Sequence, residues 1–279
     1  ADTLDDLLMA QGYVQAQERF FEMDVRRHVT AGRLSELFGE DALETDMYVR
    51  TMGWRRVAER ELALIQPDPR AALEAYADGV NAYLADRAPS EIALEYAVLN
   101  AGGLDYRPED WTAVDSLAWL KAMAWDLRGN MQEEIERSIV SAKVGTARTA
   151  QIFPAYPYND HRPIVTQGAV VDGRWSQDAS PPIPGVGART PHVPVAADDV
   201  LSRTHTVLGS LDGVLGPNGP GIGSNSWVVE GAKTSTGKPL LANDPHLGPS
   251  MPSIWYQMGL HCRTVSSSSV STSGASSTV

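Results

Sequence analysis

The sequence predicts an α+β chain, helical through its first half and stranded towards its end. Three observations carry that reading. Apolar residues recur at spacings of three and four through residues 1–150. Residues 168–222 are rich in Gly, Pro, Ser and Asp, the composition of a connector. From Ser224 onward the text changes to short apolar strands separated by turn residues. The expected organisation is a helical region over 1–167, a linker over 168–223, a strand-bearing region over 224–262 and a low-complexity tail over 263–279.

The first helix starts after Thr3, with Leu4, Leu7, Leu8, Gln11 and Val14 at helical spacing and Asp5 and Asp6 favourable in its first turn. A second is expected from Pro69, with Asp68 as N-cap and Leu73, Tyr76, Val80, Tyr83 and Leu84 on one face. A third follows Pro108 through Leu117, Leu120, Met123, Ala124 and Leu127. The segments Phe153–Tyr158 and Pro181–Pro184 read as extended and proline-bounded. Strands are expected at Trp227–Val229 and Leu240–Ala242, joined by a turn at Thr236-Gly237-Lys238, with a third apolar run at Ile254–Leu260. The tail is mostly Ser, Thr, Gly and Ala.

Composition narrows the function. A net charge of −12 with pI near 4.9 argues against nucleic acid or an anionic membrane as the partner, since both select cationic surfaces. Arg26, Arg27 and Arg33 form the one tight basic cluster, read as surface ion pairs on a helix. The single cysteine, Cys262, excludes an internal disulfide and a cysteine-based metal site. No apolar run reaches transmembrane length, and Ala1-Asp2-Thr3 lacks the charged head and apolar stretch of a signal peptide.

The chemistry concentrates at one seam. Gly216–Gly223 holds two Pro and four Gly in eight residues, so it is loop, and Ser224 begins a strand immediately after it. Gly223 puts no Cβ in the path of a serine attacking the preceding carbonyl. Once that bond is cut, Ser224 carries its own base, an α-amino group of reference pKa about 7.7–8.0. The plainer alternative is that Gly223-Ser224 is only a turn.

The longer text around the seam resembles a known family. Ser224-Asn225-Ser226-Trp227-Val228-Val229, then Gly237 through Gly248 with Asn243-Asp244-Pro245-His246-Leu247-Gly248, then Pro252-Ser253-Ile254-Trp255-Tyr256, is similar to the start of the β subunit of the penicillin acylase family. Gln11 through Arg19, Arg26-Arg27 and Gly32 through Leu37 resemble its α subunit. The resemblance extends to about Cys262. It implies an N-terminal-nucleophile amidohydrolase with a four-layer αββα sandwich, incomplete here, made as a precursor that cuts itself into an α/β heterodimer. It further implies export to the periplasm or medium, a small-molecule amide as substrate and no cofactor for catalysis. Beyond Cys262 the resemblance stops, as in a truncated or frame-shifted precursor. The rival reading is a non-catalytic helical binding module formed by residues 1–150.

Residue by residue, the resemblance makes Ser224 the nucleophile and Gly223–Ser224 the cleavage site. It places His246 beside the nucleophile, where a histidine can hydrogen-bond the hydroxyl or the amine. The alternative for His246 is a turn histidine. A metal site of Asp244, His246 and His261 has no diagnostic spacing. Met123, Trp125 and Leu127 match the helix end that lines the acyl pocket, the alternative being plain core. Asp126 stands where some penicillin G acylases carry a basic residue. Glu134, beside Glu133, matches a ligand of a structural calcium, which needs six to eight oxygens; the alternative is a solvated acidic helix face. The oxyanion donors that the family uses fall beyond residue 262, and Asn225 is too near Ser224 to be one.

Overall fold

A computed structural model of the chain describes residues 1–127, 130–155, 157, 160–161, 167–179, 198–215, 223–262 and 276–278. The chain forms two compact units, residues 1–128 with 209–279, and residues 129–208.

In the first unit, α1 (Leu4–Ala31) starts where expected. Thr3 is extended, and its hydroxyl accepts the Asp6 N–H at 3.1 Å. Gly32, at φ 65°, ends the helix in the left-handed conformation that a Cβ disfavours. Three helices follow: α2 (Ser35–Phe38), α3 (Leu43–Met52) and α4 (Trp54–Leu62). Asp46 of α3 satisfies the start of α2, accepting from the N–H groups of Leu34 and Ser35 at 2.7 and 2.8 Å.

Helix α5 spans Pro67–Leu84, with Gln66 as its N-cap, so the expected start at Pro69 with Asp68 as cap is two residues late. Both prolines fit in the first turn, because those N–H groups have no helical acceptor to lose. Beyond it lie α6 (Pro89–Ile92), α7 (Leu94–Ala101) and α8 (Ala113–Asp126). Helix α8 starts five residues after Pro108, where the Asp115 carboxylate accepts from the Thr112 N–H and hydroxyl at 2.8 and 2.6 Å.

The core lies between α1 and α5. Ala16 and Phe20 meet Ala77, Val80, Tyr83 and Leu84, with Tyr96 and Trp111 closing the cluster. Two glycines allow the close approach. A Cβ on Gly12 would stand 2.1 Å from the Tyr76 carbonyl oxygen, and one on Gly79 would stand 1.9 Å from that of Met9. A second cluster joins Ala58 of α4 to Leu117 and Ala118 of α8.

The second unit holds α9 (Met131–Val144), α10 (Thr146–Ile152) and a hairpin of β1 (Ala169–Val171) with β2 (Arg174–Ser176). Its turn is Asp172-Gly173, both at positive φ, as a two-residue hairpin loop favours. Helix α11 (Asp198–Leu215) then runs through residues expected to be linker. Val200, Leu201, Thr204, Val207 and Leu208 carry a helical spacing that the overall composition of the stretch hid. The Pro181–Pro184 segment lies outside the described residues, as does part of Phe153–Tyr158.

Strands β3 (Gly223–Val229) and β4 (Leu240–His246) form an antiparallel hairpin in the first unit, longer than the two expected apolar triplets. The expected turn residue Gly237 has φ 69°. The apolar run at Ile254–Leu260 yields only β5 (Gln257–Gly259), which pairs with β6 (Ser276–Thr278). Three residues of the low-complexity tail are therefore strand. The remainder of the tail, 263–275 and 279, lies outside the described residues.

Candidate functional site

Ser224 is the second residue of β3, exposed, at the point where the Gly/Pro-rich lead-in gives way to paired strand. The hairpin register sets Gly223 opposite His246, Ser224 opposite Pro245 and Ser226 opposite Asn243. Side chains alternate across a strand pair, so Ser224, Ser226, Asn243 and Pro245 share one face, while Asn225, Asp244 and His246 share the other. Hydrogen bonds follow that division. The Ser226 hydroxyl donates to Asn243 Oδ1 at 2.7 Å, and His246 Nε2 pairs with Asp244 Oδ2 at 3.0 Å. In this register the His246 imidazole stands on the face opposite the Ser224 side chain.

The hairpin is open on both faces. Trp227 is 65% exposed and Leu241 75%, and Val228 and Leu240 are exposed as well. The sequence predicts apolar strands here. Their apolar residues are present, but nothing among the described residues covers them.

The three expected pocket residues part company. Met123 lines a groove of about 1000 Å³ along α1, α5 and α8. Trp125 is buried against Tyr48 and Trp54, with ring centroids at 5.5 and 5.9 Å, which is core packing. Leu127 is exposed. Met123 and Trp125, two apart on α8, point to opposite sides at about 100° per residue, and Leu127 lies just past the end of the helix at Asp126.

Leu8, Gln11, Gln15, Arg19, Glu22 and Arg26 run down one side of the groove at helical spacing along α1. The facing walls are apolar, including Leu73, Leu117, Leu120, Ile254 and Trp255. The segment after β4 is tied to α1. Arg19 donates to the Ser253 carbonyl at 2.7 Å, and the Tyr256 hydroxyl donates to Glu18 Oε2 at 2.8 Å.

Under α1 lies a buried polar network that the sequence reading missed. Asp24 is fully buried and accepts at Oδ2 from the Tyr96 and Tyr106 hydroxyls at 2.6 and 2.8 Å. Its Oδ1 takes the Arg27 Nε–H at 3.0 Å, and its carbonyl oxygen lies 2.8 Å from His28 Nδ1. Arg27 also donates to the Glu109 and Asp110 carbonyls, both at 3.0 Å. Burial works to raise the Asp24 carboxyl, yet the hydrogen bonds from His28 and Tyr96 and the Arg27 charge hold it down at about 2. Arg27 is therefore a buried partner, correcting the surface reading. Arg33 does make surface pairs, forked to Glu36 at 2.7–2.8 Å and to Glu109 at 2.9 Å. The missed signal was position: Asp24 and Arg27 continue the buried stripe of Ala16 and Phe20.

Glu134 sits exposed in the first turn of α9, with the Asn130 amide 3.3 Å from its Oε1. Among the described residues no three His, Cys, Asp or Glu side chains group as metal ligands. Glu134 here takes part in a helix-end hydrogen bond.

A family model described as penicillin amidase matches residues 1–278. The chain belongs to the penicillin amidase family. Among its relatives, an acyl-homoserine lactone acylase QuiP of Pseudomonas aeruginosa is 32% identical over 98% of this chain and 29% of its own length. A penicillin acylase 2 proenzyme of Pseudomonas sp. (strain SE83) is 31% identical over 92% of this chain and 30% of its own length. The chain thus spans less than a third of these relatives. A solved thermostable penicillin G acylase from Alcaligenes faecalis matches with TM-score 0.44 and 29% identity, over 55% of this chain and 81% of that one. Among the described residues no helix is long and apolar enough to cross a membrane.

Proposed function

We propose that this penicillin amidase family chain carries the α region and the opening strands of an amide-hydrolysing acylase precursor, cut by its own Ser224. The observation that carries the reading is an exposed Ser224, directly after Gly223 at the head of β3, within a family match running through it. Ser224 Oγ attacks the Gly223 carbonyl carbon, and the acyl group moves from nitrogen to oxygen. Water hydrolyses the resulting ester, leaving a carboxylate on Gly223 and a free amine on Ser224. That amine then takes the Oγ proton as Ser224 attacks a substrate amide, and passes it to the departing amine. Water releases the acid from the acyl-enzyme and restores Ser224. No cofactor enters either step. His246 faces the other side of the hairpin and receives no part in the proton transfer.

The substrate class is a linear amide bearing an acyl side chain, as in the β-lactams and acyl-homoserine lactones that the relatives' names point to. The mature form is an α/β heterodimer, and its compartment is the periplasm or medium. The test is a longer polypeptide in which a full β region follows this sequence. Mass spectrometry and N-terminal sequencing should find a new terminus at Ser224, and Ser224→Ala should abolish both scission and hydrolysis. A folded, uncut precursor retaining Ser224 would remove the assignment.

A further inference from the structure

The segment that follows β4 lies against α1, although Ser253 is 234 residues beyond Arg19 in the chain. Three contacts set its direction. The Arg19 guanidinium donates to the Ser253 carbonyl at 2.7 Å, the Tyr256 hydroxyl donates to Glu18 Oε2 at 2.8 Å, and the Ala1 nitrogen donates to the His261 carbonyl at 3.3 Å. The segment therefore runs in the opposite sense to the helix. Glu22, on the same helix, holds Arg19 at 3.1 Å, and the guanidinium stands 5.7 Å from the Tyr256 ring centroid. Burial, and then the Glu18 bond, raise the pKa of the Tyr256 hydroxyl, so it remains a donor. Ile254, Trp255 and Tyr256 are partly buried, and with Leu247 they line the same groove as Leu8, Gln11 and Gln15 of α1. The hairpin itself is attached differently. Its Trp227, Val228, Leu240 and Leu241 are exposed, and Leu247 follows β4 directly, so the grip on the helical region belongs to the segment and not to the strands.

We propose that residues 247–261 are a non-covalent clasp, which grips Glu18 and Arg19 of α1 and keeps the Ser224 hairpin on the helical region after the chain is cut between α11 and β3. The chemistry of the grip is specific. Arg19 needs an acceptor and Glu18 a donor, and the segment offers a carbonyl and an aromatic hydroxyl three residues apart, with apolar side chains between them. Both α1 groups lie on the side of the helix away from Ala16 and Phe20, so they are available to the segment without disturbing the core. The purpose of the clasp rests on the two-subunit form proposed above, but its contacts do not depend on what makes the cut.

The experiment cuts the folded 279-residue chain at a site-specific protease sequence placed within residues 216–222. Ser224→Ala is present throughout as the parent background, so only the added protease acts. The two pieces should elute together in size-exclusion chromatography, and the smaller should dissociate slowly after dilution. Arg19→Ala and Tyr256→Phe should each speed that dissociation by at least about fivefold, as loss of a hydrogen bond to a charged group predicts. Glu18→Gln keeps an acceptor oxygen and should stay within about twofold of the parent. Trp227→Ser, on the exposed hairpin, should dissociate as the parent does. A smaller piece that precipitates after leaving counts as released. If circular dichroism shows uncut Arg19→Ala unfolded, Tyr256→Phe decides, since it removes a single hydroxyl. Separation of the parent's pieces on elution, dissociation of the folded Arg19 and Tyr256 variants no faster than the parent's, or release caused by Trp227→Ser overturns the clasp. So does a cut species held together only by exchange of the segment between two copies, seen as a dimer. A longer precursor that fails to cut itself would remove the role of Ser224 and leave the clasp standing, whereas parting of the parent's pieces removes the clasp alone.

Discussion

At the scale of single residues, Asp24 connects the sequence to the stability of the helical region. It stands where the periodicity calls for an apolar side chain, and it is tolerated because four groups satisfy it. Its carboxyl sits near 2 in the fold against about 3.9 in an unfolded chain, so it favours the folded state above about pH 4 by roughly 2 kcal/mol. That contribution is lost as pH falls through about 2. Asp24→Asn leaves Arg27 buried without its charge partner, a change that costs about 3–5 kcal/mol near neutral pH. Thermal melts of both proteins should show a wide gap in Tm at pH 7 that narrows between pH 4 and pH 2. A gap that is constant to pH 2 would show that the Asp24 charge contributes nothing. The contrast with Ser224 explains what was legible. Ser224 announces itself by a seam between two kinds of text, whereas Asp24 and Arg27 look like any polar pair until their partners, remote in sequence, are placed. The side-chain directions of Trp125 and His246 were equally hidden, because each depends on a rotation or a register that spacing alone leaves open.

At the scale of elements, local signals proved good where the cause is local. Thr3 caps α1, and Gly237 sits in the hairpin connection with the positive φ that its identity suggests. The start of α5 was misplaced because Pro67 and Pro69 are equally acceptable in a first turn, and the spacing does not choose between them. The α1–α5 crossing was invisible for a different reason. Gly12 and Gly79 read as helix-weakening residues, and their use appears only when two backbones come together. Replacing Gly79 by Ala offers about 1 kcal/mol of helix propensity. Against that, the new Cβ meets the Met9 carbonyl oxygen, a backbone atom that cannot swing aside. Overpacking of ordinary core side chains costs about 1–3 kcal/mol, and a backbone clash belongs at or above the top of that range. Gly79→Ala should therefore destabilise by about 2 kcal/mol or more in urea unfolding, while an Ala at Gly39, where a Cβ meets nothing within 4 Å, should lose only what its positive φ demands. A Gly79→Ala protein as stable as the parent would mean that the two helices are free to separate.

At the scale of the molecule, the contrast is between a helical region with its own core and a hairpin without one. The α1–α5 cluster excludes solvent, whereas β3 and β4 present Trp227, Val228, Leu240 and Leu241 outward on both faces. Two strands are marginal in water, and apolar side chains on both faces are the pattern of a strand inside a sandwich. The four-layer arrangement implied by the family resemblance would cover both faces. Nothing in the helical text reveals that demand, because in such an arrangement it would be met by strands that the hairpin residues themselves do not encode. The same reasoning bears on catalysis. In the proposed mechanism, freeing Ser224 would supply a nucleophile and a base, but turnover also needs donors aimed at the developing oxyanion, and losing one such donor costs about 2.7–4 kcal/mol. The outward-facing hairpin brings Asn243 onto the Ser224 face, where it is bonded to Ser226. The 279-residue chain by itself should accordingly hydrolyse neither a chromogenic phenylacetyl amide nor a long-chain acyl amide faster than its Ser224→Ala counterpart. Release of chromophore above that control would locate an oxyanion hole within these residues, with Asn243 the first side chain to test by substitution.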